Sequence, residues 1–76
     1  MKTFNERLKD IRTDNEITQI EIAEKLNISQ RAYSSYETGN RKLPIELLIE
    51  IAKIYNTSTD YLLGLTDIKI PYPPSK

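Results

Sequence analysis

With 76 residues the chain has room for one domain and one core. It contains no cysteine and no histidine, which removes disulfides, thiolate metal sites and every nucleophile activated by histidine. Eleven basic side chains balance eleven acidic ones, and a net charge of zero argues against a nucleic-acid partner unless the charges are unevenly placed.

Thr3 and Glu6 have the spacing of a capping box, in which each side chain satisfies the other residue's backbone N–H. Phe4, Leu8 and Ile11 then recur at i, i+4 and i+7, one face of a helix, until Asp14-Asn15-Glu16 turns the chain. A second capping box, Thr18 with Glu21, opens a short helix whose apolar positions include Ile20, Ala23 and Leu26. Asn27 follows, and asparagine tolerates the left-handed conformation that ends a helix. Ser29 is an N-cap two residues later, so a third helix begins almost at once, with Ala32, Tyr33 and Tyr36 on one face and Gly39 as its stop.

Asn40-Arg41-Lys42-Leu43 forms a short basic loop, and Pro44 suits the first turn of a fourth helix, with Glu46 complementing its positive end. Leu48, Ile51, Ala52 and Tyr55 form an inward stripe, widened by Ile45, Leu47 and Ile54, and this most apolar helix is expected to be the central one. Asn56-Thr57 turns the chain, and Ser58 caps a fifth helix that runs through Leu63 and closes at Gly64. From Leu65 onward Ile68-Lys69-Ile70 alternates, and Pro71, Pro73 and Pro74 rule out further helix, so an extended tail is expected. The reading is thus an all-α domain of five helices over residues 1–64, followed by a proline-rich tail or linker over residues 65–76.

No apolar run approaches the ~20 residues that span a bilayer and no secretory leader follows Met1, so the expected compartment is the cytoplasm, with no membrane partner.

Two short helices joined by so few residues cannot fold back antiparallel and should cross steeply. Between Thr18 and Gly39 the small Ala23 permits close approach, Leu26 and Ile28 seal the corner, and Tyr33 and Tyr36 pin the second helix to the core. Its outer face is left with Gln30, Arg31, Ser34 and Ser35. Arginine is bidentate to guanine, glutamine to adenine, and serine bonds a base edge or a phosphate, so this is a surface suited to a DNA major groove.

The run TQIEIAEKLNISQRAYSSYETGNRKLPIELLIEIAKIYNTSTDYLLG resembles the Cro/repressor-type helix-turn-helix family, also called Xre-like or lambda-repressor-like. Thr18-Gln19, Ala23, Leu26, Ile28-Ser29-Gln30, Tyr36-Glu37, Gly39, Leu48, Ile51-Ala52 and Asp60 to Gly64 carry the resemblance, which extends from Phe4 to about Gly64. It implies a compact lambda-repressor-like fold whose third helix enters the major groove, with Gln30, Arg31, Ser34 and Ser35 at base edges. It also implies that Gln19 bonds a phosphate, that Asn40, Arg41 and Lys42 track the backbone, and that Arg12 and Glu37 form a partly buried ion pair. Asn27 stands where the turn usually has glycine, tyrosines stand at 33 and 36 where aliphatics or tryptophan are commoner, and Ser35 is shorter than usual.

The charge objection then resolves locally. From Asn27 to Leu43 the charged residues are Arg31, Glu37, Arg41 and Lys42, while acids gather at Asp14, Glu16, Glu21, Glu24, Glu46 and Glu50. The expected function is a sequence-specific transcriptional repressor of bacterial or mobile-element type, without cofactor or metal. It would bind double-stranded operator DNA as a homodimer, on half-sites ~34 Å apart. A second class is a protein-interaction module acting through Ile68-Lys69-Ile70-Pro71-Tyr72 as an added strand or an extended ligand. An enzyme has little support, since no paired nucleophile and base and no phosphate loop is visible. An alternative reading makes the chain the N-terminal half of a longer repressor, with the proline-rich tail as the start of a linker.

Overall fold

The local cap signals set the helix starts. In the computed structural model, which describes residues 3–71 and 73, five helices follow in order: α1 Phe4–Asp14, α2 Gln19–Lys25, α3 Gln30–Thr38, α4 Ile45–Tyr55 and α5 Thr59–Leu63. Both capping boxes form, Thr3 with Glu6 and Thr18 with Glu21, and the Ser29 and Ser58 hydroxyls accept from the backbone three residues on. Pro44 stands at the cap of α4 rather than inside its first turn, and caps it without a side-chain bond.

Helix ends share one device. One or two residues past the helix the backbone turns left-handed, and the next N–H reaches back five residues: Ile28 to Ala23, Thr57 to Ala52 and Leu65 to Asp60, each at 2.9–3.0 Å. Asn27, Asn56 and Gly64 supply the positive φ at these three ends. Glu16 does so after α1, at φ 56°, with Ile17 N–H reaching Arg12 O at 3.1 Å. No residue type at 16 announces it. Gly39, at φ 86°, ends α3 where any side chain would be strained and would also run into the Asn5 amide.

The core is built from Leu8, Ile11, Ile22, Ala23, Leu26, Tyr33, Leu48, Ile51, Ala52 and Leu62, with Phe4, Ile28, Tyr36 and Leu43 packed around it. Two expectations need correction. Ile20 is 53% exposed, and the α2 isoleucine that enters the core is Ile22, beside Ala23 and Leu26. Nor is α4 central: α3 packs on α1 and α2, α5 packs on α1 and α4, and Ile45 at the start of α4 is 66% exposed. Apolar content alone does not place a helix in the middle; the number of neighbours does.

The described residues after Gly64 form no helix or strand, with bends at Leu65 and Asp67, and they are tied to the body. Ser58 N–H and the Thr57 hydroxyl both donate to Lys69 O at 2.9 Å, and the Ser58 hydroxyl lies 3.1 Å from Ile68 O. The Arg7 guanidinium donates to Tyr61 O and Thr66 O at 3.3 Å and to Asp67 at 2.9 Å, while stacking 4.6 Å from the Tyr61 ring. Contacts therefore continue past Gly64, where the sequence reading ends the domain. Of the segment read as an extended ligand, Tyr72 lies outside the described residues, as does Pro74 in the proline-rich end. Among the described residues no helix is long and apolar enough to cross a membrane.

Candidate nucleic-acid interface

The orientation of α3 about its own axis decides which of its side chains face outward. Its inner face is fixed by Tyr33, fully buried, and by Glu37, whose side chain is 4% exposed. Gln30, Arg31 and Thr38 are exposed and Ser34 and Ser35 half-buried, and all five line one shallow groove of about 440 Å³ together with Asn40. Thr38 was not singled out in the sequence, although it lies four residues after Ser34 and seven after Arg31, the spacing of one helix face.

Arg41 stands beside Ser29, Arg31 and Ser35 in an adjoining depression, held by its own N–H bonded to Ser35 O at 3.1 Å. Lys42 is placed differently. It borders a separate cleft of about 360 Å³, floored by Phe4, Leu43, Leu48 and Leu63, which Arg41 also reaches. Arg31, Arg41 and Lys42 are exposed and form no ion pair among the described residues.

Glu37 would oppose an anion here if its charge were free. Instead Arg12 on α1 grips it with two bonds, Nε to Oε2 and Nη2 to Oε1, both 2.9 Å. Arg12 also donates to Ile17 O at 2.9 Å, and Gln19 Nε2 lies 3.3 Å from Glu37 Oε1. One carboxylate thus joins α1, the start of α2 and the end of α3. Burial pushes the Glu37 carboxyl up, but the bonds from Arg12 and Gln19, the adjacent Tyr33 hydroxyl and the Arg12 charge outweigh it and hold it below the usual range. The Tyr33 hydroxyl is buried beside this carboxylate without a partner at full hydrogen-bond geometry, and burial first, then Glu37, pushes its pKa up. Burial likewise pushes the Tyr55 hydroxyl up to about 12.

The groove is not the largest on the molecule. A depression of about 570 Å³ lies between α1, α5 and the following segment, lined by Arg7, Asp10, Asp14, Tyr61, Asp67 and Lys69. Three carboxylates there meet two cations, a mixture that does not favour a polyanion, whereas the α3 groove has Arg31 and no acid.

A helix-turn-helix family model matches residues 8–62 of the chain. Among curated proteins the chain is 39% identical over 64 residues to the uncharacterized HTH-type transcriptional regulator YobD of Bacillus subtilis, covering 84% of this chain and 57% of that one. It is 41% identical over 66 residues to the HTH-type transcriptional regulator ImmR of the same organism, covering 87% of this chain and 52% of that one. The chain thus spans somewhat over half the length of these relatives. Among solved structures, the P22 c2 repressor in complex with synthetic operator 9T superposes with a TM-score of 0.78 at 26% identity, over 87% of this chain and all of that one.

Proposed function

The chain belongs to the helix-turn-helix family of the Xre and lambda-repressor type, and from that premise we propose that it is a sequence-specific DNA-binding regulator of transcription, acting as a repressor. The observation that carries this is the exposed α3 face, where Gln30, Arg31, Ser34 and Ser35 share one groove while the nearest acid, Glu37, is neutralised by Arg12. In this reading α3 lies in the major groove of an operator. Gln30 and Arg31 contact base edges, Ser34 and Ser35 contact bases or phosphates, and Gln19, Asn40, Arg41 and Lys42 contact the backbone. The work is binding rather than catalysis, it needs no cofactor, and it takes place in the cytoplasm.

Two copies act together on half-sites about one turn, ~34 Å, apart. Support comes from the small number of unpaired cations on the α3 side, which limits counterion release per copy. Exposed apolar side chains are also present for a partner copy to cover: Ile45, Ile49, Leu63, Leu65, Ile68 and Ile70 are each at least 43% exposed.

The test is a gel shift of the full chain against random-sequence and genomic duplexes at ~50 mM salt, followed by sequencing of the retained DNA. Retention of a family of duplexes sharing two related half-sites is the expected result. Failure to retard any duplex would overturn the reading.

A further inference from the structure

The α3 groove differs in hydrogen-bonding character from one end to the other. Arg31 carries donors only, and the Gln30 amide carries both donor and acceptor. Ser35 has a single hydroxyl proton, and that proton is already committed: Oγ lies 2.6 Å from Ala32 O, three residues earlier on the same helix. The neighbouring Thr38 hydroxyl points the same way, 3.3 Å from Ser35 O. With their protons on backbone carbonyls, these two hydroxyls are left with acceptor capacity alone.

We propose that Ser35 is a specificity-determining residue that reads base edges as an acceptor only, selecting adenine or cytosine over guanine or thymine at the base it faces. This rests on the DNA-binding reading above. In the major groove the hydrogen-bond donors are the amino groups, N6 of adenine and N4 of cytosine, whereas guanine and thymine offer oxygen or ring-nitrogen acceptors. Facing an amino group, Ser35 keeps its bond to Ala32 O and gains a second one through a lone pair. Facing O6 of guanine or O4 of thymine, it must swing its proton away from Ala32 O, trading one bond for another. The amino-bearing base wins by one whole hydrogen bond. Ser35 is half-buried, so a bond lost there is less readily replaced by water, which favours the same choice.

The experiment is selection of random-sequence duplexes by the full chain and by its Ser35→Ala and Ser35→Thr variants. Alanine is the best helix former, so the first variant keeps α3; threonine makes the same backward bond, so the second keeps the acceptor. The expected result is one position per half-site at which the wild-type chain prefers adenine or cytosine by about three- to tenfold, a preference lost in Ser35→Ala and kept in Ser35→Thr. In the selected duplex, replacing that adenine by purine, or that cytosine by 2-pyrimidinone, removes only the amino group. This should weaken wild-type binding by the same factor and leave Ser35→Ala unchanged. The proposal is overturned if Ser35→Ala keeps every base preference, or if the preference it loses is for guanine or thymine. Selection of no duplex by the wild-type chain would overturn it together with the DNA-binding reading, whereas ordinary selection with an unaltered Ser35→Ala profile would overturn this inference alone.

Discussion

Arg12 and Glu37, 25 positions apart in sequence, meet through two parallel 2.9 Å bonds at a site where the carboxylate side chain is only 4% exposed. Removing one partner of such a pair leaves the other charged, buried and unmatched, which typically costs about 3–5 kcal/mol. Glu37→Met is therefore expected to lower unfolding free energy by that order, and Arg12→Met by a similar amount. The double variant Arg12→Met with Glu37→Met should recover much of the loss, because the desolvation cost goes with the charges. Urea melts of the four chains decide it: a double variant as unstable as the sum of the singles would show that the pair does not act as a unit.

The same pair has a pH signature. Because the folded state holds the Glu37 carboxyl below its ordinary value of 4.5, the stability it contributes is present above that pH. It is lost as pH falls through the lower, folded value. Glu37→Gln should be less stable than the wild-type chain near neutrality, with the difference narrowing steadily once the pH drops below about 4.5. The comparison is made as a difference so that the other carboxylates cancel. A difference that stays constant or widens toward acid would contradict the sign.

How much of this was legible in the sequence depends on the distance over which each feature acts. The caps are three-residue relationships, Thr3–Glu6 and Thr18–Glu21, and a linear reading finds them. The face of α2 is not such a relationship. With apolar residues at 20, 22, 23 and 26, only tertiary packing decides that Ile22 goes in and Ile20 stays out. Ile22→Ala should cost about 2–5 kcal/mol and Ile20→Ala less than about 1, measured by thermal or urea unfolding. The groove residues Gln30, Arg31, Ser34 and Ser35 follow from helical period alone, and Thr38 lies on the same face one turn further on. The Gln19–Glu37 contact and the Arg7 fastening join residues 18 to 60 positions apart, and no local pattern carries them.

Arg7 is the fastening of the segment after Gly64. Its side chain is 11% exposed and bonds two backbone carbonyls, whereas the Asp67 carboxylate it also touches is 97% exposed. Exposed ion pairs contribute little, so Asp67→Asn should change stability by under about 0.5 kcal/mol. Arg7→Ala should instead loosen residues 66–69. The amide of Ser58 reports this directly, since its bond to Lys69 O belongs to that segment. Faster hydrogen exchange at Ser58 in Arg7→Ala, and not in Asp67→Asn, is the expected pattern.

Under the DNA-binding proposal, Arg31 and Lys42 are expected to separate specificity from affinity. Arg31 lies in the α3 groove among polar side chains, while Lys42 borders a cleft floored by Phe4, Leu43, Leu48 and Leu63, away from that groove. If α3 reads bases and the loop after it follows phosphates, the two substitutions must differ in kind. Arg31→Ala should cost about 1–3 kcal/mol on the selected operator and relax preference at one base pair, because a bidentate contact to a base edge is lost. Lys42→Ala should weaken all duplexes alike and reduce the slope of log affinity against log salt by about one, because one phosphate contact is lost. Titrations on operator and scrambled duplexes at several salt concentrations distinguish the two. Equal weakening of both duplexes by Arg31→Ala would remove it from base readout and leave it as one more backbone cation. A change of base preference in Lys42→Ala would place the loop, not α3, at the base edges.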